Sequence, residues 1–175
     1  MLKISDLSCQ PLRWIQPKAL KELYELHSGE NLVATLKFRS AFGTLARAES
    51  ADGCWTFKRI GFWQNKATVR ACEGESDLAV FKNNTWNDGG TLEFADGRIF
   101  KATTNAWMTR FEFQTQAEDL LLRFKYEGVF RLSAIVEIQP LAQSLVELPL
   151  LVLFGWYLAV MLYHDSSAAA VVGTV

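Results

Sequence analysis

From about residue 11 to residue 139 the chain alternates apolar and polar residues in short runs separated by Gly, Asn and Asp. Successive side chains of a strand point to opposite faces. This period of two therefore predicts consecutive antiparallel strands, each buried on one face, rather than βα units. Trp107, Thr109, Phe111 and Phe113 alternate with Met108, Arg110 and Glu112. Leu120, Leu122, Phe124 and Tyr126 alternate with Arg123 and Lys125, and Phe130, Leu132, Ala134, Val136 and Ile138 with Arg131 and Glu137. Each set has one apolar face and one largely charged face.

The remaining runs are shorter. Residues 20–26 have some helical spacing after Pro17 but read better as a strand. The loop Ser28-Gly29-Glu30-Asn31 turns it into 32–38, with Leu32, Leu36 and Phe38 on one face. A run near 42–49 leads through the turn Asp52-Gly53 into a strand at 54–60, which Gly61 bends or ends, and further runs lie near 67–73 and 77–83. Residues 83–90 are polar and glycine-rich and are expected to form an exposed connection. Residues 91–94 and 98–102 form the clearest hairpin, with a two-residue turn at Asp96-Gly97. With the segment before Pro17 the strands number about twelve, and Pro140 ends them.

The stretch 148–163, LPLLVLFGWYLAVMLY, has no charge and no polar face. A helix of that kind must be hidden, in a membrane or inside protein. At about 1.5 Å per residue it is roughly 24 Å long, short of the roughly 30 Å hydrocarbon core of a bilayer. Its flanks, Glu147 and His164-Asp165, carry no Lys or Arg to anchor a span, and no basic residue follows Arg131. The expectation is a helix over about 145–164 buried in protein; the alternative is a membrane anchor through 148–163. Pro149 suits the first turn. Gly155 and Ala159 permit close approach of a neighbour, and Leu150, Leu151, Phe154, Leu158 and Leu162 join them as the expected core positions. The small residues that follow predict a frayed tail over 165–175.

A closed antiparallel barrel of about twelve strands, spaced about 4.8 Å and tilted about 40°, has a backbone radius of roughly 12 Å. That interior admits one axial helix, about 10–12 Å across with its side chains. The sheet has an apolar face with nothing to cover it, and the helix is apolar all round; each hides the other. Closure also removes the sheet edges that promote aggregation. The predicted fold is mainly β, a single domain over 1–175.

The strand count, the order of strands then helix, and the character of LPLLVLFGWYLAVMLY resemble the tubby-like barrel superfamily of tubby C-terminal domains, LURP-one-related proteins and phospholipid scramblases. The resemblance covers nearly the whole chain and implies a twelve-stranded barrel around a C-terminal hydrophobic helix. In scramblase-like members that helix looks like a membrane span. The resemblance further implies a non-catalytic barrel that binds an anionic lipid headgroup or a protein partner at a membrane surface. No phosphoinositide-binding or calcium-binding motif matches residue by residue, so none is carried over.

Composition narrows this picture. Half of the 175 residues are hydrophobic and the formal charge is −1, which disfavours a disordered chain and a nucleic-acid partner. Cys9, Cys54 and Cys72 have no CxxC spacing and are odd in number. They read as buried free thiols in a reducing cytosol rather than as a disulfide framework or zinc site. The N-terminus, MLKISDLSCQPLRW, lacks the apolar core of a secretory signal, so a cytoplasmic location is expected.

Catalytic chemistry has few candidates, and no cofactor is implied. His164-Asp165-Ser166 holds triad residue types, but adjacent side chains point apart and form no relay. His27 reads as a turn residue. Asp52-Gly53, Asp88-Gly89 and Asp96-Gly97 lack calcium-loop spacing, and Gly89-Gly90 lacks the GxxxxGK phosphate pattern. One cluster carries a functional expectation: Lys58, Arg59, Lys66 and Arg70, interleaved with Trp55, Phe57, Phe62 and Trp63, as a site for an anionic ligand or lipid headgroup. Arg59 shares parity with Trp55 and Phe57, so it belongs at the rim, at a bulge, or partly buried with a partner.

Overall fold

The alternating runs close into a barrel. In the computed structural model, residues 1–7, 11–18, 22–41, 43–60, 65–84, 88–127 and 132–172 are described, the side chains of 167–172 excepted. The strands are β1 (Leu12–Ile15), β2 (Leu23–Ser28), β3 (Asn31–Phe38), β4 (Ala46–Ser50), β5 (Gly53–Ile60), β6 (Lys66–Ala71), β7 (Ala79–Asn83), β8 (Gly89–Phe94), β9 (Ile99–Thr104), β10 (Arg110–Gln114), β11 (Leu120–Glu127) and β12 (Ser133–Ile138). Each pairs antiparallel with its neighbours in sequence, and β1 with β12 closes the circle, Leu12 opposite Val136 and Trp14 opposite Ala134. Past β12 a 3-10 turn, Pro140–Ser144, reverses the chain into the helix α1 (Leu148–Val172).

The helix is the axis of the barrel, as expected. Every residue from Leu148 to Met161 is buried. By length and composition the segment Leu148–Ser166 is apolar enough to cross a membrane, yet 78% of its most apolar window lies inside the protein. Its aromatic side chains lock it to the wall: Trp156 stacks on Trp14 at 5.5 Å, Phe154 meets Phe57 at 5.2 Å, and Tyr157 stacks on Phe38 at 5.7 Å. Such pairs stabilise beyond their buried area. Tyr157 donates its hydroxyl hydrogen to the Thr44 carbonyl at 2.7 Å. At the other end the buried Glu147 pairs with Arg98, its carboxylate placed favourably at the helix N-terminus.

Several expectations need correction. The helix runs to Val172, beyond the Tyr163 end and through the region expected to fray, because Ser166–Ala170 contains no breaker and Ala is the strongest helix former. Gly89 and Gly90 are buried strand residues rather than an exposed loop. A Cβ at Gly89 would collide with the Ala102 carbonyl, and one at Gly90 with the Lys82 carbonyl, so here glycine marks close backbone approach. The β8–β9 turn has three residues, Ala95 to Gly97, with Gly97 at φ +90° as that loop type requires. A bulge opposite Leu26 and His27 leaves Val33 unpaired, so Ala34, Leu36 and Phe38 face inward and Leu32 drops out of their row. Trp107 precedes β10 and is 85% exposed instead of sharing the face of Phe111 and Phe113.

The cysteine expectation changes as well. Cys54 and Cys72 form a disulfide across β5 and the end of β6, with Cα atoms 5.4 Å apart, so these two are not free thiols. Counting cysteines does not reveal that two of them stand opposite each other in neighbouring strands. Cys9 lies outside the described residues, as do Leu20, Gly61, Phe62, Phe130 and Arg131.

Candidate functional site

In a closed meander the connections alternate between two ends. At one, here the floor, α1 begins beside the β8–β9 turn, where Glu147 meets Arg98. At the other, the mouth, α1 leaves: Asp165 meets Arg59 at the end of β5, and His164 lies against Phe38 at the end of β3.

The predicted basic cluster is divided by the pleat. Lys58, Lys66 and Arg70 are exposed on the outer face of β5 and β6. Arg59 points inward, its side chain 9% exposed, and its Nη1 donates to both Asp165 oxygens at 3.0 and 2.8 Å. It therefore anchors the helix end instead of joining an outer patch. Arg70 is held by Asp77 at 2.5 Å. Trp63 lies outside the described residues.

Lys58 and Lys66 acquire different neighbours from those read in sequence. Lys66 opposes Lys82 across β6 and β7, and Lys37 opposes Arg47 across β3 and β4. With Arg39 just past β3, this makes a basic band on the outer face of β3 to β7 on the mouth side. Arg47 and Lys82 are paired with Glu49 and Glu93. Among the described residues, Lys37, Arg39, Lys58 and Lys66 have no ion-pair partner.

The same end presents apolar side chains. Ile60 is 37%, Met108 43% and Tyr163 47% exposed, besides Trp107. The β9–β10 loop that carries Trp107 and Met108 is tightly built. Asn105 Oδ1 accepts from the backbone N–H groups of Thr109 at 2.9 Å and Arg110 at 3.1 Å, and Met108 adopts φ +50°. A non-glycine residue in that region is strained and must be held there by its surroundings. The floor is mainly acidic: its hairpin turns carry Glu30, Asp52, Glu73, Glu75, Asp96, Glu118 and Asp119 alongside Arg98.

Sequence reasoning missed Lys37, Arg39, Trp107, Met108 and Tyr163. The available signal was topological: once the strands form a meander, every second connection shares an end, and the charges of the turns can be sorted by parity.

Inside the mouth the chemistry is that of structure. Asp165 is committed to Arg59, Ser166 donates to the Tyr163 carbonyl at 2.8 Å, and the His164 ring lies against Phe38 and Tyr163. The three adjacent residues thus serve three separate contacts. Among the described residues no group of His, Cys, Asp or Glu is arranged to hold a metal ion. Burial pushes the hydroxyls of Tyr24, Tyr126 and Tyr157 well above the ordinary tyrosine range.

No protein-family model matches the chain, and no curated protein matches its sequence. In structure it is similar to the Arabidopsis thaliana protein AT5G01750, at a TM-score of 0.51 and 12% identity over 80% of this chain and 90% of that one. At that identity the likeness concerns the fold alone.

Proposed function

We propose that this chain is a non-catalytic barrel of the tubby-like, LURP-one-related kind that docks its mouth on an anionic membrane surface. The observation that carries the reading is the coincidence at one end of cations without an ion-pair partner among the described residues, Lys37, Arg39, Lys58 and Lys66, with the exposed apolar side chains Trp107, Met108, Tyr163 and Ile60. Cations draw a protein to anionic lipid by roughly 1 kcal/mol each near the surface, and tryptophan and tyrosine settle at the headgroup level. The acidic floor would then face away from the bilayer. Because α1 is already used as the core, this docking leaves the helix inside the barrel and requires no span.

The test is sedimentation with vesicles of phosphatidylserine and phosphatidylcholine, against phosphatidylcholine alone, at low and at physiological salt. The parent protein is expected to bind only the anionic vesicles and to lose binding as salt rises. Replacing Lys37, Arg39, Lys58 and Lys66 by Ser is expected to reduce retention at least tenfold without lowering the melting temperature. No retention of the parent, or undiminished retention of the variant, would remove the reading.

A further inference from the structure

Beside the last turns of α1 the mouth contains a pocket of about 190 Å³. Met108, Leu132, Ala159 and Leu162 give it an apolar wall, and among the described residues no charged side chain lines it. Four lining residues carry hydroxyls, Thr104, Tyr126, Tyr163 and Ser166, and they are not equivalent. Thr104 donates to the Arg110 carbonyl at 2.9 Å and Ser166 to that of Tyr163, so each offers only lone pairs. Tyr126 follows Leu122 and Phe124 on the inward row of β11, and its hydroxyl has no hydrogen bond to the described residues. That leaves the phenol free to donate to an acceptor bound in the pocket.

These features define a ligand. An aliphatic cavity of about 150 Å³ takes up benzene, so this pocket has room for an apolar group of about six carbons. A charged group drawn inside would find no partner among the described residues, which favours an uncharged ligand over a carboxylate or an amine. We propose that the pocket binds an uncharged amphiphile, an alkyl alcohol or ester, whose oxygen accepts the Tyr126 hydrogen while its chain lies against Leu132, Ala159 and Leu162. The site is independent of the membrane reading, since a soluble ligand would occupy it without any bilayer.

The experiment is a titration of the full chain with 1-hexanol, without vesicles, followed by methyl NMR of Met108, Leu132, Ala159 and Leu162. Saturable shifts confined to these methyls are expected, and hexanoate at neutral pH should bind at least tenfold more weakly. Tyr126→Phe removes only the donor and should weaken hexanol binding by about three- to tenfold while leaving the melt intact. Ser166→Trp, a change at an exposed position, should block the pocket. Shifts that never saturate, shifts spread around the barrel, equal binding of hexanoate, or unchanged hexanol affinity in either folded variant would overturn the proposal.

Discussion

Gly155 shows how close the helix lies to its wall. A Cβ built there would stand 2.6 Å from the Phe124 ring and 3.1 Å from that of Phe113, both in the core. Gly155→Leu should therefore destabilise the barrel by overpacking, by about 2–3 kcal/mol in urea denaturation, despite the better helix propensity of leucine. Phe124→Leu in the same chain should recover part of that loss; strictly additive losses would show that the ring and the glycine do not share space. Tyr24, Tyr126 and Tyr157 give a second residue-scale test. Their folded pKa values are raised by burial, so stability is complete below the unfolded value near 10 and falls as pH rises above it. Each should contribute about 1.4 kcal/mol of loss per pH unit above about pH 10, and Tyr126→Phe should reduce the slope of an alkaline urea series accordingly. An unchanged slope would mean that the Tyr126 hydroxyl titrates normally.

Among the elements, α1 decides whether the barrel exists. Removing residues 145–175 uncovers Leu122, Phe124, Val136 and their neighbours, each losing roughly 1.5–3 kcal/mol of burial. A domain has only about 5–15 kcal/mol of net stability, so the truncated chain should show no cooperative melt by circular dichroism. A membrane anchor behaves oppositely, because its removal yields a soluble folded domain. A β-type melt near that of the full chain would thus contradict an essential axial helix. The twelve strands cannot substitute for it, since closing a sheet of this size leaves a central space that no strand side chain fills alone.

At the scale of the molecule the charge is unevenly placed, with mostly acidic floor turns and a basic band on β3 to β7 toward the mouth, while its sum stays near zero, −1 over the chain. A net charge that small gives little steering, but a barrel with an acidic floor and a basic band toward its mouth orients in the field of an anionic surface. The docking reading predicts which residue meets the bilayer first. Phosphatidylserine vesicles with brominated acyl chains should quench the fluorescence contributed by Trp107, so that Trp107→Phe shows a smaller fractional quench than the parent. Equal quenching in both proteins would place the β9–β10 loop away from the lipid.

The period-two runs and the faceless apolar segment determined the architecture by themselves, because burial on one face and burial on all faces are local properties that any chain must satisfy. Phe111, Phe113, Leu122, Phe124 and Val136 were readable as core for that reason, and the axial helix with them. Which charges stand together was decided only in three dimensions. Lys58 and Arg59 are neighbours in sequence but lie on opposite sides of the sheet, whereas Lys66 and Lys82, across two strands, or Arg59 and Asp165, between strand and helix, are distant in sequence and adjacent in space. The pairing of Cys54 with Cys72 belongs to the same class. Alternation states only whether a side chain faces in or out; strand register and barrel closure determine its neighbours, and a charged site consists of neighbours.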